Sequence, residues 1–183
     1  MYKMKFYLIS IFILFIIFGF DFRKNALAKP LIMMPLIVIM KCACVLLFII
    51  YISSIISVTK FDKIHYLTAV LTTLGTILVM WSKITLGKNF AWTGYYLTES
   101  KRITHGPYKY MRHPLYYGIY LVETGASILY LNVIWGRENF LIMLVLGTIP
   151  LLYAFLFNLT MSRKEMLLFQ NPKMKNVSND GNF

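Results

Sequence analysis

Negative charge is scarce in this chain. Its 183 residues hold seven Asp and Glu against nineteen Lys and Arg, and charged residues of either sign make up only 14%. A water-soluble domain carries about 25% charged residues on its wetted surface, so a soluble globule is excluded. Cysteine is nearly missing as well. Cys42 and Cys44 are the only two, and two positions apart on a helix they diverge, which excludes a bond between them. They read as small packing residues inside an apolar run. No group of His and Cys has metal-ligand spacing, and there is no internal repeat or low-complexity segment.

What the chain does have is hydrocarbon. Apolar residues make up 58% and the mean hydropathy is +0.65. They fall in runs near the ~20 residues that span a bilayer rather than in a one-sided helical stripe. The expected fold is therefore all-α: one integral, multi-pass membrane domain over 1–183, with helices at about 6–20, 31–58, 64–86, 114–135 and 140–160. After the first run, Ala26 and Ala28 offer a cleavage-like pattern. Asp21, Arg23 and Lys24 separate that pattern from the apolar residues, so the run reads as an anchor retained as the first helix. The second run is long for one span and opens near Pro30 and Pro35, which predicts a tilt or an interfacial turn. The tail 161–183 is polar and is expected to fray.

The basic residues sit between apolar runs, where they orient a membrane protein and attract anionic headgroups. Nucleic acid is not an expected partner; membrane lipids are. Twelve Lys and Arg fall on the side that holds the first connection, the polar stretch 87–113 and the tail, against five on the other. The excess predicts that the polar stretch and the C-terminus face the cytoplasm.

That polar stretch concentrates the chemistry. Two His, Arg112 and the tyrosines Tyr108, Tyr110, Tyr116 and Tyr117 crowd the mouth of the fourth helix. One residue at a time, such a set anchors a helix at the interface; together they exceed what anchoring needs. Gly106-Pro107-Tyr108 followed by Arg112-His113-Pro114-Leu115-Tyr116-Tyr117-Gly118 resembles the signature of the isoprenylcysteine carboxyl methyltransferase family and the related phospholipid N-methyltransferases. The similarity lies within residues 100–125 and extends to Gly125; the first three helices are similar only in hydropathy.

The resemblance implies an enzyme that uses S-adenosyl-L-methionine to methylate a lipophilic or lipidated substrate, such as a prenylcysteine carboxylate or a lipid amine. It implies that Tyr108, His113, Pro114, Leu115 and Tyr116 border the cofactor, with Lys101, Arg102 and Ile103 as further wall residues. Tyrosine faces suit a sulfonium cation, and Arg112 suits a carboxylate. The family also carries an Arg and a pair of acids beyond the last helix. Here Arg163-Lys164-Glu165 offers one acid, with Arg two positions before it rather than four; the resemblance implies that Glu165 contacts the cofactor and that Arg112 and Glu165 are the catalytic residues. No metal is implied. Other readings are a membrane reductase using NADPH, since sterol reductases carry a similar Arg-His-x-x-Tyr, and a non-catalytic relative.

Two charged residues lie inside apolar runs and need a reason to be there. Glu123 shares a helical stripe with His113, Tyr116 and Tyr120; it either lines a lipid channel or positions a nucleophile, or it bonds Ser, Thr or Lys41 on a neighbouring helix. Lys41 is expected to snorkel or to pair with an acid. His65 is expected at a helix end as an interface residue.

Overall fold

A computed structural model describes residues 2–19, 28–91, 94–97, 103–135 and 137–170. Five helices dominate it: α1 (Tyr2–Gly19), α2 (Met34–Ser57), α3 (Lys63–Leu86), α4 (Pro114–Ile134) and α5 (Phe140–Gln170). All five are long and apolar enough to cross a membrane, and the fold is an all-α membrane bundle. Two departures from the expected boundaries matter for the site. Residues 31–33 are not helical; Ala28–Pro30 forms a short strand, β1, paired antiparallel with β2 (Tyr95–Leu97). The Leu31 N–H extends the pairing to the Gly94 carbonyl at 2.8 Å. The backbone here spends its hydrogen bonds on the loop before α4, and Pro35 then opens α2 in its first turn.

The second departure is larger. The tail from Met161 was expected to fray, yet α5 runs to Gln170. The residues 161–170 include Met, Arg, Lys, Glu and Leu, all good helix formers, and Met161 is fully buried among Ile37, Met40 and Tyr116.

The tightest association is between α3 and α4, and small residues make it possible. A Cβ on Gly75 would lie 2.6 Å from the Gly118 carbonyl oxygen, and one on Gly118 would lie 2.7 Å from Val79 Cγ2. Farther along, a Cβ on Gly125 would sit 2.9 Å from Thr72 Oγ1. Backbones this close gain dispersion contacts that lipid tails cannot match, the usual driving force between helices in a bilayer. The buried Thr72 and Thr76 hydroxyls donate to the carbonyls of Thr68 and Thr72, each at 2.7 Å. Bonding back to their own helix satisfies those donors without water.

The other helices close around this pair. In α1, Phe12 packs against Phe48 and Tyr51 of α2, and Lys5 Nζ donates to the Ile56 carbonyl at 2.7 Å, where the end of α2 offers free acceptors. Tyr153 of α5 donates to the Leu36 carbonyl of α2 at 2.9 Å, and Tyr130 of α4 donates to the Met143 carbonyl. His65 sits at the start of α3 with its Nδ1 accepting the Asp62 N–H at 3.0 Å, so it caps the helix while remaining buried. Lys41 lies on an exposed face of α2.

Gly118→Val should lower the thermal stability of the detergent-solubilised protein by the ~1–3 kcal/mol typical of an overpacked contact. Gly19→Ala, where only Phe15 approaches, at 3.8 Å, should leave the unfolding midpoint unchanged. Equal midpoints for both variants would show that α3 and α4 have room for a side chain between them.

Candidate functional site

Several positions of the sequence signature build the site's frame. Gly106 opens a short 3-10 turn, Gly106–Lys109, with φ of 59°, a region where a side chain is strained. A Cβ there would also meet Thr85 Oγ1 at 2.7 Å, so glycine lets the turn lie flat on the end of α3. Pro107 is buried beneath it. Pro114 takes the first helical position of α4, where its missing N–H costs nothing. Leu115 packs with Val79 and Phe90. Pro114 and Leu115 were expected to border a cofactor; both side chains are buried.

One polar member of the signature, Tyr116, reaches α5. The Tyr116 hydroxyl donates to Glu165 Oε1 at 2.8 Å, joining the first turn of α4 to the extension of α5. Tyr116 is only 5% exposed, set among Ile37, Met40, Ala154, Phe157 and Met161. A carboxylate held by one directed donor in apolar surroundings keeps its remaining lone pairs for a ligand. The His113 ring lies 6.0 Å from the Tyr116 ring, tilted by 59°.

Tyr108 completes the group from the 3-10 turn. Burial pushes its phenol well above the usual range and the nearby Glu165 carboxylate adds to that, while the Ser82 hydroxyl acts the other way. Tyr108 is therefore a neutral O–H donor at neutral pH. His113 moves in the opposite sense. Burial holds its imidazole below the ordinary 6.5, and the Arg112 guanidinium reinforces the shift. His113 is thus uncharged at pH 7, with one ring nitrogen free to accept a hydrogen bond or a proton.

Around this centre, Arg112 and Arg163 are exposed, and Ile103 is half-buried in the loop before the turn. Lys101 and Arg102, the other expected wall residues, lie outside the described residues, as does the tail beyond 170. Among the described residues, no group of three or more His, Cys, Asp or Glu could hold a metal ion. The donor set is instead one carboxylate, two phenols and a neutral imidazole. Such groups fit a cofactor that presents a sulfonium, ribose hydroxyls and an amino-acid end.

One polar residue escaped the sequence reading. Asn158 lies mid-helix in α5, 1% exposed, and its Oδ1 has no hydrogen-bond partner. Its signal was present: an amide inside an apolar run, seven residues before Glu165. Asn158 and Glu123 both line a cavity of about 400 Å³ between α1, α2, α4 and α5.

Residues 63–160, more than half of the chain, match the model of the family described as "Phospholipid methyltransferase". The match takes in α3, α4, most of α5 and the whole signature. No curated protein and no solved structure shows a significant match.

His113 should titrate below 6.5 in the folded protein, as read by NMR of ring-labelled histidine. Arg112→Gln should raise the midpoint without restoring it fully, because burial is the larger cause. Since the unfolded chain then binds the proton more readily, stability should fall as pH drops below about 6.5. A midpoint at or above 6.5 would place His113 in water.

Proposed function

The chain belongs to the phospholipid methyltransferase family, and from that premise we propose that it transfers a methyl group from S-adenosyl-L-methionine to a lipophilic acceptor at the cytoplasmic face of the membrane. The observation that carries this reading is the 2.8 Å bond between Tyr116 and Glu165. It joins the signature helix to the one acid near the end of the last helix, an acid within electrostatic reach of Tyr108.

When bound, the cofactor supplies a methyl group activated by a sulfonium centre. The protein's own task is alignment and exclusion of water, since direct displacement is sensitive to geometry and to competing solvent. Glu165, oriented by Tyr116, accepts hydrogen bonds from the cofactor's polar groups and offsets positive charge. The Tyr108 and Tyr116 rings present negative π-faces to the same charge. Arg112, exposed at the mouth of α4, is placed to attract a carboxylate. Lys101 and Arg102 are offered as outer contacts on the resemblance alone.

The acceptor's chemistry sets the need for a base. A carboxylate is already ionised at neutral pH and needs only orientation. An amine must release a proton, and His113, kept uncharged, offers a ring nitrogen to take it. The departures of the 163–165 segment from the prenylcysteine pattern favour an acceptor other than prenylcysteine. The cytoplasmic assignment is supported by the twelve-to-five distribution of Lys and Arg.

Glu165→Gln should weaken S-adenosylmethionine binding by roughly tenfold or more, the loss expected for one charge-assisted hydrogen bond of about 1.5–3 kcal/mol. Calorimetry on wild type and variant in detergent measures it, and equal dissociation constants would remove Glu165 from the site. Separately, a reporter fused after Phe183 should report the cytoplasm; an external signal would reverse the orientation.

A further inference from the structure

The cavity between α1, α2, α4 and α5 is apolar apart from a few groups, among them Glu123 and Asn158. On α4, Glu123 follows Tyr116 by seven residues; on α5, Asn158 precedes Glu165 by seven. Seven residues are close to two helical turns, so each pair shares one face, separated along the axis by about 10 Å. The Tyr116–Glu165 bond therefore has a second polar level beneath it, deeper in the membrane, formed by Glu123 and Asn158.

This second level is unsatisfied in a specific sense. Asn158 is 1% exposed, lines the cavity, and has an amide oxygen with no donor. Glu123 lines the same cavity, and the hydroxyl of Ser127 donates to the Glu123 backbone carbonyl at 2.5 Å. A buried acceptor without a donor, as the Asn158 amide oxygen is, is costly in hydrocarbon. A purely hydrocarbon chain would leave it so; a ligand with a donor at that depth would not. At about 400 Å³ the cavity falls within the ~300–1,000 Å³ of small-molecule sites. Phe12, Phe48 and Leu151 supply apolar walls.

We propose that this cavity binds a lipid whose chain carries a hydrogen-bond donor, a hydroxyl in the simplest case, about 10 Å from its head, and that Asn158 and Glu123 accept from it. The head then reaches the Tyr116–Glu165 level while the chain fills the apolar walls. That this lipid is also the methyl acceptor rests on the methyltransferase reading; its binding preference does not. The polar pair makes the cavity selective, because a site built to bond a donor rejects the analogue that lacks it.

The test uses the full chain in detergent micelles and a fluorescent lipid as reporter. Two competitors are compared: a monoacylglycerol whose acyl chain bears a mid-chain hydroxyl, and its stearoyl parent without one. The hydroxylated lipid should displace the reporter at roughly tenfold lower concentration, the scale of one hydrogen bond to a buried acceptor. Asn158→Leu should abolish that preference. Asn158→Asp, which keeps an acceptor oxygen, should retain it, and this guards against a Leu variant that fails to fold. Equal displacement by the two lipids on wild type, or no displacement by either, overturns the proposal. A preference that survives Asn158→Leu in folded protein overturns it too. S-adenosylmethionine binding, titrated on the same preparation, reports on the methyltransferase reading independently, so either can fail alone.

Discussion

Everything in this bundle hangs on how closely α3 and α4 can approach. Gly75, Gly118 and Gly125 leave no room for a Cβ, so the two backbones meet almost directly. That contact fixes the rotation of α4 about its axis. With Gly118 turned into α3, Tyr116 is directed to the packing around α2 and α5. The signature thus combines two kinds of position. Gly106, Pro107, Pro114 and Gly118 set backbone geometry, and Tyr108, His113 and Tyr116 are the polar side chains that this geometry orients.

The extension of α5 does the complementary work. An acid at position 165 acts on the site only if the chain holds it there, and a continuous helix anchored by the fully buried Met161 holds it more firmly than a folded-back tail. Alignment demands such rigidity, because reacting groups misplaced by an ångström lose much of the advantage of being bound. The single Glu165 is therefore braced from two sides, by its own helix and by the Tyr116 hydroxyl.

The five helices were legible in the sequence because uncharged hydrocarbon runs of bilayer length fit a membrane span and little else. Their ends were harder to read. The start of α2 depends on β1 pairing with β2, a contact between segments more than sixty residues apart that no local pattern announces. The end of α5 was hidden because polar helix formers such as Lys164 and Glu165 look the same in a helix as in a solvated tail. In the site, the resemblance to the methyltransferase signature pointed to Tyr116 and Glu165, and the structure brings them to hydrogen-bonding distance. Asn158 was missed because one amide in an apolar run becomes meaningful only once its missing partner is seen.

The walls of the membrane cavity come from Phe12, Phe15 and Ile16 in α1 as well as from Gly147, Leu151 and Asn158 in α5. The helices that close it thus lie at opposite ends of the chain. During synthesis, α1 to α4 enter the bilayer before α5 has been translated, and until then the space is an open side of an unfinished bundle that surrounding lipid can occupy. The cavity comes into being only when the last helix docks, and lipid molecules already resting there must be displaced or enclosed. Its first occupant is accordingly set by the membrane in which the chain is assembled.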